Sequence, residues 1–227
     1  MICKKAIRKN LYADAFTLSM YSFSPYHACE HGCIYCDGRA DKYYVEGEFD
    51  KDIVIRQNLP KLLEVELTKL RENAPISIGS GVTDVYQPVE REEKLMRNCL
   101  EILGRYNYPV HLLTKSPIVL RDLDLFKQLH SKGGFTLFIS LTFSEDEVRK
   151  IFEPKTGSVR ERLETIRFFK KNGLRVGVLL MPLLPWISDT EKNITKLLVE
   201  LKELEVDFII PGSLTLRPGR QKELYFQ

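Results

Sequence analysis

Short apolar runs alternate with longer segments of helical period along most of this chain, and that alternation constrains the fold more than any other feature. Residues 76–78, 110–113, 135–141, 175–180 and 206–210 read as strands, and the aromatic, partly alternating residues 16–26 read as a first strand. Residues 59–73, 90–105, 120–130, 158–171 and 189–204 carry apolar residues at helical spacing, such as Leu62, Leu63, Val65, Leu67 and Leu70 in the first. The third of these is stopped at Gly133-Gly134 and the fourth by Asn172-Gly173 as a left-handed cap, while Ser188 and Asp189 open the fifth. Six strands alternating with five helices mean parallel strands joined by right-handed helical crossovers. Three strands, at 76–78, 135–141 and 175–180, are nearly continuously apolar, as in a sheet covered on both faces. The class is therefore α/β, and a doubly wound sheet and an incomplete barrel both satisfy the pattern.

Either architecture places functional groups at the carboxyl ends of the strands. The residues there are Gly79-Ser80-Gly81-Val82-Thr83-Asp84, Thr114-Lys115-Ser116, Ser140-Leu141-Thr142, Met181-Pro182 and Pro211-Gly212-Ser213. Small and polar groups thus gather at one edge of an aliphatic core. The 227 residues read as a single domain, 1–227. A further helix is expected after the sixth strand, and residues 223–227 read as the first turn of a native helix truncated there. The formal net charge of +3 is spread among mixed signs along the chain, which gives no nucleic-acid footprint. The most apolar stretch, residues 176–187, is too short to cross a bilayer and contains Gly177, Pro182 and Pro185. Lys4, Lys5, Arg8 and Lys9 are followed by a segment broken by Asp14, unlike a secretory signal, so a cytoplasmic location is expected.

Three of the five cysteines, Cys29, Cys33 and Cys36, form a C-x3-C-x2-C run. An odd total with one tight cluster points to metal binding rather than a disulfide framework. Three thiolates at this spacing can wrap three irons of a cubane cluster and leave one iron open to a small molecule. Gly32 lets the backbone turn closely around the inorganic core. A structural zinc site using His27 or His31 as a further ligand, in a non-catalytic binding module, is the alternative, although no second C-x2-C knuckle is present. Cys99 sits on an apolar helix face and reads as core; Cys3 falls in a terminus expected to fray.

An aromatic residue before the last cysteine, in a loop after the first strand of a βα-repeat chain, resembles the radical S-adenosylmethionine (SAM) superfamily. More narrowly, YHACEHGCIYCDGR resembles the spore photoproduct lyase-like branch. So do IGSGVTDVYQPVERE, LTKSPIVLRDLDLF, ISLTFSEDEVRKIFEPKTGSVRERLETI and VGVLLMPLLPWISD. The resemblance implies a partial (β/α)6 TIM-like barrel of parallel strands with outer helices. It implies a [4Fe-4S] cluster on Cys29, Cys33 and Cys36, with SAM on the open iron. It further implies reductive cleavage of SAM to a 5′-deoxyadenosyl radical, hydrogen abstraction from a substrate, and an electron donor such as flavodoxin or ferredoxin.

The family pattern places Tyr35 near the adenine, Lys115 at the SAM carboxylate, and Ser140 at the carboxylate or ribose, with Thr142 beside it. Met181 and Pro182 fall on the adenine side. Where the superfamily often carries Gly-Gly-Glu for the SAM amino group, this chain has Gly79, Ser80 and Gly81, then Thr83 and Asp84, and Asp84 is the candidate partner. Photoproduct lyases proper carry a hydrogen-returning cysteine near the end of the second strand. Residues 80–84 hold none, so photoproduct repair by that route is not expected. Arg39, Lys42, Tyr43 and Tyr44 beside the cysteines combine charge and aromatic faces, as nucleic-acid tracks do. A single short group reads rather as a solvated loop, which leaves a nucleic-acid partner possible but unsupported. Neither a catalytic side chain nor the substrate is read from the sequence; Tyr35 and Tyr86 are open to a radical role that nothing demands.

Overall fold

The computed structural model describes residues 1–79 and 82–227. The chain begins with β1 (Arg8–Lys9), β2 (Tyr21–Phe23) and β3 (Tyr26–His27). Two 3-10 turns (Asp37–Arg39 and Asp41–Tyr43), β4 (Val54–Ile55) and α1 (Leu59–Leu67) follow. Next come β5 (Ile76–Ile78), α2 (Glu90–Glu93), α3 (Leu95–Leu103), β6 (Val110–Thr114), a 3-10 turn (Pro117–Asp122) and α4 (Leu123–Lys132). The rest is β7 (Phe135–Ser140), α5 (Asp146–Phe152), α6 (Val159–Lys171), β8 (Arg175–Leu183), α7 (Glu191–Glu203), β9 (Phe208–Ser213) and α8 (Arg220–Tyr225).

The main sheet runs β1-β2-β5-β6-β7-β8-β9, parallel throughout except for β1 against β2, and β3 and β4 form a separate antiparallel pair. The six parallel strands lie side by side in chain order. A doubly wound sheet would reverse that order at a switch point. The structure is therefore the partial (β/α)6 barrel, with no pairing among the described residues joining β2 to β9. One side of each strand packs on the helices: Ile76, Leu112, Leu137, Val176 and Val178 are fully buried with Leu63, Leu100, Ile166 and Leu197. Phe126 of α4 stacks on Phe135, ring centroids 4.5 Å apart. Each such side chain contributes about 1.5–3 kcal/mol on burial.

Several expected boundaries shift for local reasons. Residues 16–20 lie outside the first strand: Asp14 accepts from the amides of Phe16 (3.0 Å) and Thr17 (2.8 Å), and Leu18 takes positive φ. The helix expected over 90–105 is two helices, because Lys94 is left-handed and the Glu90 carboxylate accepts the Met96 amide at 3.0 Å. Thr190, not Ser188 or Asp189, caps α7; Ser188 instead accepts the Leu184 amide at 2.7 Å. Helix α5 was not expected. Cys3 is not frayed: it is buried, and its amide donates to Asn58 at 2.9 Å. Cys99 is fully buried core, as expected. Among the described residues no helix is long and apolar enough to cross a membrane.

Candidate functional site

The cysteine loop follows β3 and is wound by its own backbone. Gly32 at φ +68° donates to the Cys29 carbonyl at 3.4 Å, and the Cys36 amide donates to the Cys33 carbonyl at 3.3 Å. Neighbouring elements hold it from every side. The Cys29 amide donates to Phe49 O (3.1 Å), Thr83 Oγ1 to Ala28 O (2.7 Å), and Gln87 Nε2 to the same carbonyl (3.2 Å). Arg39 donates from Nε to Cys33 O at 2.9 Å and from Nη2 to Gly32 O at 3.0 Å. On the α5 side, Ile34 N donates to Phe152 O (3.0 Å) and Lys155 N to His31 O (3.2 Å).

The loop closes one wall of a cavity of about 660 Å³ at the carboxyl ends of the strands. Cys29, Cys33, Cys36 and Tyr35 line it, opposite Thr83, Asp84, Lys115, Ser140, Met181 and Pro182. The sequence-derived candidates thus converge, with exceptions. Gly79 and Thr142 are not among the lining residues. Gly79, at φ +80°, lies where an added Cβ would sit 2.7 Å from Leu113 O, so it sets the close approach of β5 to β6. Thr142 is fully buried, its hydroxyl donating to Met181 O at 3.1 Å. Ser80 and Gly81 lie outside the described residues. His31, which sequence reasoning offered only as a zinc ligand, also lines the cavity, as do Asp37, Leu113, Leu179 and residues 214–215, which it passed over.

Lys115 Nζ donates to Ser140 Oγ at 2.7 Å and lies 5.9 Å from the Tyr35 ring centroid. Asp84 accepts from Tyr86 N (2.9 Å) and Thr114 Oγ1 (2.8 Å) on one oxygen and Lys115 N (2.7 Å) on the other. Burial holds the His31 imidazole below its usual range, against the raising effect of Asp84, whose carboxylate is 3.4 Å away. Burial raises the Cys29 and Cys36 thiols and pushes Cys33 up to about 12. Tyr35 donates its hydroxyl to Glu153, which pairs with Arg162; neither partner was expected. Burial opposes ionisation of Glu153, but Arg162 and Lys115 hold its carboxyl below its usual range. The sequence signal for this pair was the segment FEPKTGSVRER, where burial of the charges was not legible.

The other expectations for this region change. Arg39 is folded onto the cysteine loop and paired with Asp50 at 3.3 Å; Lys42 lies over the Tyr43 ring, and Tyr43 donates to Asp37 at 2.6 Å. Of that group Lys42 and Tyr44 are exposed, and Arg39 and Tyr43 are half-buried. Among the described residues no group of three or more His, Cys, Asp or Glu side chains is arranged to hold a metal ion.

A partial barrel with a three-cysteine loop at its open end defines a class of protein. Residues 23–198 match the radical SAM superfamily, and the chain belongs to that superfamily of enzymes. An uncharacterised protein of Methanocaldococcus jannaschii is 31% identical over 193 residues, 84% of this chain and 70% of that protein. One from Mycobacterium tuberculosis is 27% identical over 206 residues, 88% of this chain but 60% of that protein. In fold, the chain matches a double mutant of spore photoproduct lyase with bound AdoMet and dinucleoside spore photoproduct. The TM-score is 0.69 at 16% identity, over 97% of this chain and 64% of that one. Streptococcus suis SuiB bound to precursor peptide SuiA matches with a TM-score of 0.63 at 12% identity, over 88% of this chain and 40% of that one.

Proposed function

We propose that this enzyme cleaves SAM reductively, with a [4Fe-4S] cluster on Cys29, Cys33 and Cys36 and SAM in the adjoining cavity. The observation that carries this reading is that all three thiols and the polar strand-end groups line one cavity in a chain of this superfamily. The residues suit the group: three thiols from one loop leave a fourth iron for a ligand, and Gly32 supplies a left-handed turn within the loop. A cavity of about 660 Å³ is within the range of small-molecule sites.

When bound and reduced, such a cluster supplies the electron that cleaves a carbon–sulfur bond of SAM, giving methionine and a 5′-deoxyadenosyl radical that takes a hydrogen atom from the substrate. The protein's part is to position and shelter. Lys115, steadied by Ser140, presents a cation to the SAM carboxylate. Tyr35 and Met181 flank the adenine. Thr83 and Asp84 form the amino-group wall, with Gly79 setting its backbone. Leu113, Leu179 and Pro182 keep water from the reacting atoms. A reduced flavodoxin or ferredoxin supplies the electron. The similar folds hold groups as unlike as a dinucleoside spore photoproduct and a precursor peptide.

The test is composition. Anaerobic reconstitution should give about four iron and four sulfide per chain and a visible thiolate–iron absorption. Cys29→Ala, Cys33→Ala and Cys36→Ala should each lose it. One zinc per chain with no sulfide would contradict the reading.

A further inference from the structure

The Tyr35 hydroxyl and the buried Glu153–Arg162 pair join the cysteine loop to the strand edge across the cavity. Tyr35 donates to Glu153, and Glu153 accepts from Arg162. Arg162 Nη1 donates to the Ser140 carbonyl at 2.9 Å. Ser140 Oγ receives Lys115 Nζ at 2.7 Å, and that ammonium lies 5.9 Å from the Tyr35 ring centroid. The contacts close a ring of five residues, which passes through the Ser140 backbone as well as its hydroxyl. Glu153 and Arg162 are 0% and 1% exposed, and their charges have no water to relax toward.

A buried pair of this kind is weak evidence of stabilisation, because desolvation consumes most of the Coulomb gain. Its orientation is better fixed than its energy. Arg162 has further bonds to Gly157 O at 2.9 Å and to Thr156, and Arg149 holds the Glu153 carbonyl at 2.8 Å, so neither partner turns without the other. A shift of Tyr35 therefore passes to Ser140 and Lys115.

We infer that Tyr35, Glu153 and Arg162 are positioning residues that set the cysteine loop at a fixed distance from the Lys115–Ser140 edge, so that cluster binding and SAM binding are geometrically coupled. This rests on the cluster and SAM reading above. It goes beyond that reading by giving the Tyr35 hydroxyl, as distinct from its ring, a role in SAM affinity.

The test uses the anaerobically reconstituted chain. Tyr35→Phe removes one oxygen and keeps the ring. It should keep its far-ultraviolet circular dichroism and its iron and sulfide content, but bind SAM about tenfold more weakly by calorimetry, because a loop no longer held at that distance populates the binding-competent geometry less. The change that SAM produces in the electron paramagnetic resonance spectrum of the reduced cluster should weaken in parallel. Arg162→Lys keeps the charge but loses the fork, and the double variant should lose no more affinity than the worse single one, as members of one unit do. Wild-type SAM affinity and spectra in Tyr35→Phe at full iron loading would overturn the inference and leave the functional reading standing. A wild-type chain that takes up no cluster would overturn both.

Discussion

A methyl group added at Gly79 meets the Leu113 carbonyl at 2.7 Å, on a backbone already at φ +80°. Gly79→Ala should therefore cost about 2–3 kcal/mol, read by urea unfolding. Removing one buried charge costs more. Glu153→Ala leaves Arg162 unpaired in the interior and should destabilise by about 3–5 kcal/mol in the same measurement. The two residues differ in how far sequence exposed them. Gly79 stood at the end of an apolar run, where strand-end chemistry directs attention. Glu153 and Arg162 are nine positions apart among other charges, and a run such as Arg160-Glu161-Arg162 reads as a solvated helix face. Only the packing of α5 and α6 against the cysteine loop shows that two of these charges are inside. Lys115, Ser140 and Met181 were legible because polar groups directly follow apolar strands; Thr142, two residues past Ser140, lies behind the cavity wall instead.

At the level of elements, periodicity exposed the six parallel strands and the crossover helices, and the Asn172-Gly173 stop exposed the end of α6. Ser158 and Glu161 form a complete capping box at the start of α6, and Ser158→Ala should cost about 1 kcal/mol in thermal unfolding. Where a side chain replaces a backbone partner, periodicity gave no warning: Glu90 turning back to the Met96 amide splits one helical pattern into α2 and α3. Helix α5, seven residues long, is too short for its period to stand out. Asp207 ties the end of α6 to the start of β8, accepting from Lys170 at 2.9 Å and from Val176 N at 2.7 Å. Burial would raise its carboxyl, but these donors hold it below its usual range. A depressed carboxyl contributes stability that is present above the unfolded value of about 3.9 and lost as pH falls through the folded one. Asp207→Asn should therefore be less stable than wild type near pH 7, with the gap closing in urea titrations below about pH 4.

For the whole molecule, strand order separates a barrel from a doubly wound sheet, and that order is a property of long-range pairing which local pattern does not carry. The outer strands β1 and β9, which do not pair with each other among the described residues, and the cavity at the strand ends follow from it. The three cysteines and the polar strand-end groups line one cavity, so the proposed cluster and SAM should stabilise the whole chain on binding. SAM at 100 times its dissociation constant should add about 2.7 kcal/mol to the unfolding free energy of the cluster-loaded protein. The most direct test of the central claim is release of 5′-deoxyadenosine by anaerobically reconstituted protein given SAM and dithionite, followed by liquid chromatography. Product from the wild type and none from Cys29→Ala is the expected result. A chain with a verified [4Fe-4S] cluster that releases no 5′-deoxyadenosine, or a Cys29→Ala variant that releases as much as wild type, would contradict it.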